Sequence, residues 1–190
     1  MKRIVTSIPG LCFIEPVVHG DDRGLFFESY HEKKFAELGI TARFVQDNHS
    51  KSVKNTLRGI HYQLAHPQAK LCRVVYGEVL DVAVDIRRGS PYFGSHVSTL
   101  LSAENKRQIY VPEGFAHGYL VLSETAEFLY KCSEFYYPED DRGIAWNDPE
   151  IGIRWGVKEP ILSTKDRLHK SLSQIEPESL PRYAGDDTNL

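Results

Sequence analysis

Residues 79–86 set the pattern for most of the chain. Leu80, Val82, Val84 and Ile86 fall on one face and Asp81, Ala83 and Asp85 on the other. This is the period-two alternation of a strand with one partly polar face. Residues 71–76, 96–101, 108–111, 118–122 and 126–135 read likewise, separated by turn signals at Tyr76-Gly77-Glu78, Arg88-Gly89-Ser90-Pro91 and Pro112-Glu113-Gly114. Many short strands at close spacing predict a β-sandwich or a small β-barrel. Residues 31–38, with Phe35 and Leu38 apolar and Gly39 at the stop, predict a helix. A second short helix is expected to open at Ser102 or Ala103, and a third to follow Ser163-Thr164-Lys165-Asp166. In 171–190 the periodicity fails and Pro177 and Pro181 enter, so this stretch is expected to hug the surface or to be disordered.

The length of 190 residues fits one domain spanning 1–190, with its core at about 11–166. A net charge of -3 argues against general nucleic-acid binding but leaves room for a local cationic pocket. Cys12, Cys72 and Cys132 form no CxxC pair and read as buried reduced thiols of a cytoplasmic protein. The basic N-terminus lacks the apolar run of a signal peptide, and no run of about 18 apolar residues predicts a membrane span.

Chemistry concentrates in a few places. Arg58-Gly59-Ile60-His61-Tyr62-Gln63 puts a cation, a titratable base and an amide in one β-like run, and Lys70, His117 and Tyr130 stand on later strands. A base, cationic donors and a phenol on separate strands look like a proton-transfer site inside a barrel. Pro112-x-Gly114-x-x-His117 resembles the second motif of the cupin β-barrels. Many cupins hold a metal through a His-x-His pair in their first motif, where this chain has His61-Tyr62-Gln63. With the second imidazole missing, no metal is expected, since a catalytic metal needs three protein ligands. His61 is then free to act as a base, with an ordinary pKa of about 6.5.

From about Phe13 to about Asp166 the chain resembles the dTDP-4-dehydrorhamnose 3,5-epimerase family. The resemblance rests on Asp22-Arg23-Gly24-x-Phe26-x-Glu28, Phe44-Val45-Gln46-Asp47-Asn48-x-Ser50, Leu57 to Gln63, and Ala69-Lys70-Leu71. It continues through Gly77-Glu78-x-x-Asp81-Val82-Ala83-Val84-Asp85, Pro112 to Gly118, Phe128-x-Tyr130-Lys131 and Leu162-Ser163-x-Lys165-Asp166.

The resemblance implies an all-β, cupin-like double-stranded β-helix (a jelly-roll barrel) with a few short peripheral helices. It implies an isomerase that needs no cofactor and inverts C3 and C5 of dTDP-4-keto-6-deoxy-D-glucose. By motif position His61 is the base, Tyr130 the acid on the opposite face, Lys70 the cation at the enolate oxygen, and Asp166 the carboxylate paired with the base. Ser163-x-x-Asp166 also reads as a helix start resembling a capping box. Arg23 and Arg58 are implied at the diphosphate. Phe26, Glu28, Gln46, Asn48, Asp141 and Lys165 are implied at the substrate, His117 in the sugar pocket, and Tyr136 stacked on thymine. A homodimer is implied as well. Asp141, Tyr92 and Tyr119 stand where the family commonly has Glu, Thr and Phe. These departures leave open a single-centre epimerase of another deoxysugar route. More distant alternatives are a metal-dependent cupin and a nucleotide-sugar binding module without turnover.

Overall fold

Period-two alternation builds two antiparallel sheets that pack face to face. The computed structural model describes residues 1–185. The strands, in chain order, are β1 (Lys2–Val5), β2 (Cys12–Glu15), β3 (His19–Asp21), β4 (Gly24–Phe26), β5 (Gln46–Val53), β6 (Leu57–Gln63), β7 (Lys70–Tyr76), β8 (Glu78–Asp85), β9 (His96–Ser102), β10 (Gln108–Val111), β11 (Phe115–Val121), β12 (Thr125–Cys132) and β13 (Asp141–Gly143). One sheet has the order β1-β2-β10-β7-β12-β5 and the other β13-β6-β11-β8-β9, with β3 and β4 forming a separate ribbon. Neighbours in space that are distant in sequence, such as β10 beside β7 and β11 beside β6, are the crossovers of a jelly roll. The cupin-like barrel implied by the motifs is the fold.

Three apolar clusters hold the layers. Val74, Val79, Ala83, Ile109, Tyr119, Val121 and Phe128 fill the space between the sheets. Phe35 of the helix α1 (Glu32–Glu37) joins Cys12, Ile14 and Leu71 on the outer face of the first sheet. Val82, Val84 and Ile86 turn outward, yet they are fully buried under Ile144, Trp155, Leu172 and Leu180. The apolar face of β8 is therefore its outer face, and Ala83 with the two fully buried acids Asp81 and Asp85 is on the inner one. Alternation identified the two faces, but only the covering chain after β13 decides which one lies inside.

Some expected elements differ. Around Ser102 there is a turn instead of a helix, because the Ser102 and Asn105 side chains each accept the other's backbone N–H and so offer the backbone an alternative to helical bonds. The start at Ser163 yields a single 3-10 turn, Asp166–Leu168. Residues 171–185 carry two further 3-10 turns. They are anchored by Leu172 and Leu180, and by a hydrogen bond from the Arg88 N–H to the Pro181 carbonyl (2.7 Å). The last five residues of the expected tail, 186–190, lie outside the described residues. All three cysteines are free and buried. Among the described residues, no helix is long and apolar enough to cross a membrane.

Strands β6 and β11 approach unusually closely at two glycines. Gly59 has φ +130°, and a Cβ there would lie 2.5 Å from the Gly118 Cα; a Cβ on Gly118 would lie 2.8 Å from the Arg58 carbonyl oxygen. The register shifts between His117 and Tyr119, and His117 is left paired with His61. Gly59→Ala is expected to lose about 3 kcal/mol of stability, measured by urea denaturation. Gly118→Ala should act in the same direction.

Candidate active site

A cavity of about 550 Å³ opens between the two sheets. Its two walls follow from strand pairing. Lys70 pairs with Cys132, which is two residues from Tyr130, so Lys70 and Tyr130 leave the same face of the six-stranded sheet. His61 and His117, directly paired on β6 and β11, come from the five-stranded sheet. All four line the cavity, together with Arg58, Tyr119, Phe128 and Asp166. The implied base and the implied acid therefore stand on opposite walls.

His61 is 30% exposed, and its Nε2 lies 2.7 Å from Oδ1 of Asp166, which is only 4% exposed. Burial alone would raise the Asp166 carboxyl, but the hydrogen bond and charge of His61, with help from Ser163, hold it below its ordinary value. An ionised Asp166 only accepts, so Nε2 carries the proton and the Nδ1 lone pair is free for a proton from another group. The Asp166 N–H donates to Ser163 Oγ at 3.0 Å. The turn-start reading and the base-partner reading of Ser163-x-x-Asp166 thus coincide: the turn aims the carboxylate.

Across the cavity, burial pushes the Tyr130 phenol well above its ordinary value, with smaller contributions from Cys132 and Cys72. It is held as a proton donor throughout the neutral range. Lys70 forms no ion pair among the described residues. Among the described residues Arg58 donates only to Ser52 Oγ, at 3.0 Å. Two cations without carboxylate partners in one cavity suit an anionic ligand or developing negative charge.

Sequence reasoning assigned no role to several contributors. Asp81 accepts from His117 Nε2, with both oxygens at 3.0 Å. The signal was present: an acid alternating with valines in a strand buried on both faces needs a partner. Ser50 shares a 2.7 Å hydrogen bond with the Tyr119 hydroxyl, and Tyr119 stacks on Phe128 with centroids 4.1 Å apart. The phenol that replaces a more usual Phe is therefore part of the cavity wall.

At the mouth, Tyr136, Asp141 and Lys165 meet. Both the Tyr136 hydroxyl and the Lys165 ammonium donate to the Asp141 carboxylate. Gln46 and Asn48 border a side extension that also touches His61, Lys70 and Tyr130. Gln63 borders the same extension, and its amide is satisfied by the carbonyls of His66 and Phe135 and by the Tyr137 N–H.

Three implied substrate contacts are not brought to this cavity within one chain. Arg23 is 90% exposed and paired with Asp21. Phe26 is 69% exposed on the β3–β4 ribbon. Glu28 receives the Lys34 ammonium and, with Phe26, borders a separate cavity near Met1. The reason is topological, because the ribbon pairs only with itself and joins neither sheet.

Because burial holds the Tyr130 proton on, its folded-state pKa lies above its unfolded one, and the neutral phenol should persist as pH rises through 10. The difference in phenolate absorbance between the native protein and Tyr130→Phe should be flat at pH 10, and a phenolate signal from Tyr130 there would contradict the assignment.

The cavity of this jelly-roll barrel thus sets an imidazole–carboxylate pair on one wall and a protonated phenol on the other, an arrangement suited to acid–base chemistry. The family model for dTDP-4-dehydrorhamnose 3,5-epimerase matches residues 5–174. The dTDP-4-dehydrorhamnose 3,5-epimerase of Pseudomonas aeruginosa is 54% identical over 178 residues, covering 93% of this chain and 98% of its own. The crystal structure of the dTDP-6-deoxy-D-glucose-3,5-epimerase of Legionella pneumophila, in complex with dTDP-4-keto-L-rhamnose, is similar with a TM-score of 0.93. Its identity is 53%, covering 96% of this chain and 98% of that one. A 3'-monoepimerase of Streptomyces bikiniensis, in complex with dTDP-quinovose, has a TM-score of 0.89 at 36% identity, covering 94% and 92%. The chain belongs to the dTDP-4-dehydrorhamnose 3,5-epimerase family and is an isomerase.

Proposed function

We propose that this chain inverts C3 and C5 of dTDP-4-keto-6-deoxy-D-glucose through two successive enolates, giving dTDP-4-keto-L-rhamnose for dTDP-L-rhamnose synthesis. The observation that carries the reading is the placement of a carboxylate-oriented imidazole and a protonated phenol on opposite sheets of one cavity. The C4 ketone acidifies the hydrogens on C3 and C5. His61 Nδ1 takes one of them, and the electron pair delocalises onto the ketone oxygen as an enolate. Lys70 meets that oxygen with fixed positive charge. Tyr130 returns a proton to the carbon from the other face, which inverts it, and exchange with water then resets the imidazolium and the phenolate. Hydrogen moves only as a proton, so the steps require no redox cofactor. Arg58 is suited to the diphosphate, Tyr136 to stacking on thymine, and the Gln46, Asn48, Asp141 and Lys165 side chains to polar contacts around the nucleotide. His117, fixed by Asp81, borders the sugar. The free thiols and the nucleotide-sugar substrate favour a cytoplasmic setting.

Proton NMR of the keto sugar with the enzyme in deuterated water tests this directly. Both the C3 and the C5 signals should vanish, and His61→Ala should slow both exchanges by about a hundredfold or more. Loss of one signal alone would make this a single-centre epimerase, like the 3'-monoepimerase of Streptomyces bikiniensis. Tight binding with no exchange at either carbon would leave only a binding module.

The stranded ribbon supports a homodimer. Arg23, Phe26 and the exposed Leu25 project from a ribbon with no sheet neighbour in their own chain, the form of an arm that reaches a second copy. In that arrangement Arg23 and Phe26 complete the nucleotide site of the partner. Co-expressing His61→Ala with Arg23→Ala chains should then regenerate one intact site in each heterodimer, so that the mixture is more active than either parent. A mixture equal to the sum of its parents, from a protein that sediments as a monomer, would exclude it.

A further inference from the structure

His169 stands beside the proposed base, and the reaction above gives it no task. Both of its ring nitrogens are buried with no hydrogen-bond partner among the described residues, an arrangement that calls for an explanation in any native structure. Its ring meets His61 edge-on with centroids 5.6 Å apart. The space it occupies is provided by Gly143, the residue paired with His61 on β13, since a Cβ there would lie 2.1 Å from the imidazole. The chain on either side is fixed, by the 3-10 turn that carries Asp166 and by the bond from the Ala145 N–H to the Lys170 carbonyl (2.9 Å). The imidazole is thus held in a socket facing the dyad.

Nitrogens of His61 and His169 and a carboxylate oxygen of Asp166 all lie within 4.8 Å of one another. We propose that these three residues form a site for a divalent transition ion, Zn²⁺ above all, and that its occupancy switches the epimerase off. Two imidazoles and one carboxylate are the donor set that such ions prefer over Mg²⁺ or Ca²⁺, with a fourth position left for water. Tetrahedral Zn²⁺ needs donors about 3.3 Å apart, so the widest gap closes by at most about 1.5 Å. His169, which no hydrogen bond restrains, is the side chain free to close it. An ion at Nε2 takes that nitrogen's lone pair, so the ring's single proton moves from Nε2 to Nδ1. Nδ1 then carries the proton and has no lone pair for a substrate hydrogen, so proton abstraction stops while the nucleotide contacts remain. This is a different set of donors from the His61, Gln63 and His117 positions of a metal-dependent cupin, and it inhibits where that one would activate.

The inhibitory consequence rests on the proposed reaction, but binding itself does not, and the test separates them. Co²⁺, added to the purified protein without sugar, should give a visible d–d band of low-coordinate character. The band should be lost in His169→Phe, which fills the same socket, and in His169→Gln, with a melting temperature confirming that each variant is folded. With dTDP-4-keto-6-deoxy-D-glucose in deuterated water, Zn²⁺ should abolish exchange at both carbons and a chelator restore it. The inhibition constant should rise at least about tenfold in both folded variants, while their metal-free exchange stays within about twofold of the native rate. Absence of a Co²⁺ band in the native protein, or equal zinc inhibition in native and variant proteins, would overturn the site. A band that depends on His169, in a protein that exchanges neither carbon, would sustain the site and refute the reaction.

Discussion

Burying ionisable side chains between two β-sheets is the constraint on which the rest of this molecule depends. A charge removed from water must find a partner or lose its charge, and the barrel interior meets this residue by residue. Asp85 is satisfied by Arg87 and Ser90, Asp81 by His117, and Asp166 by His61. Each acid fixes the orientation of the group that it pairs with. Of these pairs, Asp81–His117 and Asp166–His61 reach the cavity, and there the same hydrogen bonds that lower the cost of burial also aim two imidazoles inward. Among the described residues, Lys70 and Arg58 have no carboxylate partner, which leaves both side chains to meet an anionic ligand.

The two-sheet architecture turns this into stereochemistry. Inverting a carbon requires that a proton leave one face and arrive at the other. A single sheet could present both groups only from one side. Here β6 and β12 belong to opposing sheets, so a planar group between them would meet the His61 imidazole on one face and the Tyr130 phenol on the other. Desolvation pushes the acid on each wall upward, but with opposite outcomes. It keeps the phenol protonated as an acid, whereas the carboxylate behind His61 stays ionised because its hydrogen bonds outweigh the burial.

The legible parts of the sequence were those governed by local rules. Period-two alternation located β7 to β12, although β11 starts earlier and β12 ends sooner than the pattern suggested, because Phe115–His117 and 133–135 carry no alternation of their own. His61, Lys70, Tyr130 and Asp166 were named as a site and converge on one cavity. What could not be read depends on distant partners. The outward burial of Val82 and Val84 is decided by Trp155, Leu172 and Leu180, more than 70 residues away. Asp81 and Ser50 acquire meaning only from His117 and Tyr119, which other strands supply. Arg23, Phe26 and Glu28, implied at the substrate by a motif, lie on or just after a ribbon that joins neither sheet and whose position no local signal encodes.

The chain after β13 joins stability to chemistry. It covers the outer face of the five-stranded sheet with Ile144, Ile151, Trp155, Leu172 and Leu180, and between those anchors it delivers Lys165 and Asp166 to the cavity and sets His169 against the His61 ring. The anchors flank the turn on both sides: the Trp155 indole donates to the Trp146 carbonyl at 2.7 Å, and the Leu172 N–H donates to Asp148 at 2.6 Å. Asp166 therefore reaches His61 only while this apolar cover is seated, since a 2.7 Å hydrogen bond tolerates little displacement of either group. Loosening the cover exposes apolar surface and also withdraws the carboxylate that orients the His61 ring. Stability of the outer layer and competence of the inner site are for this reason two consequences of one packing event.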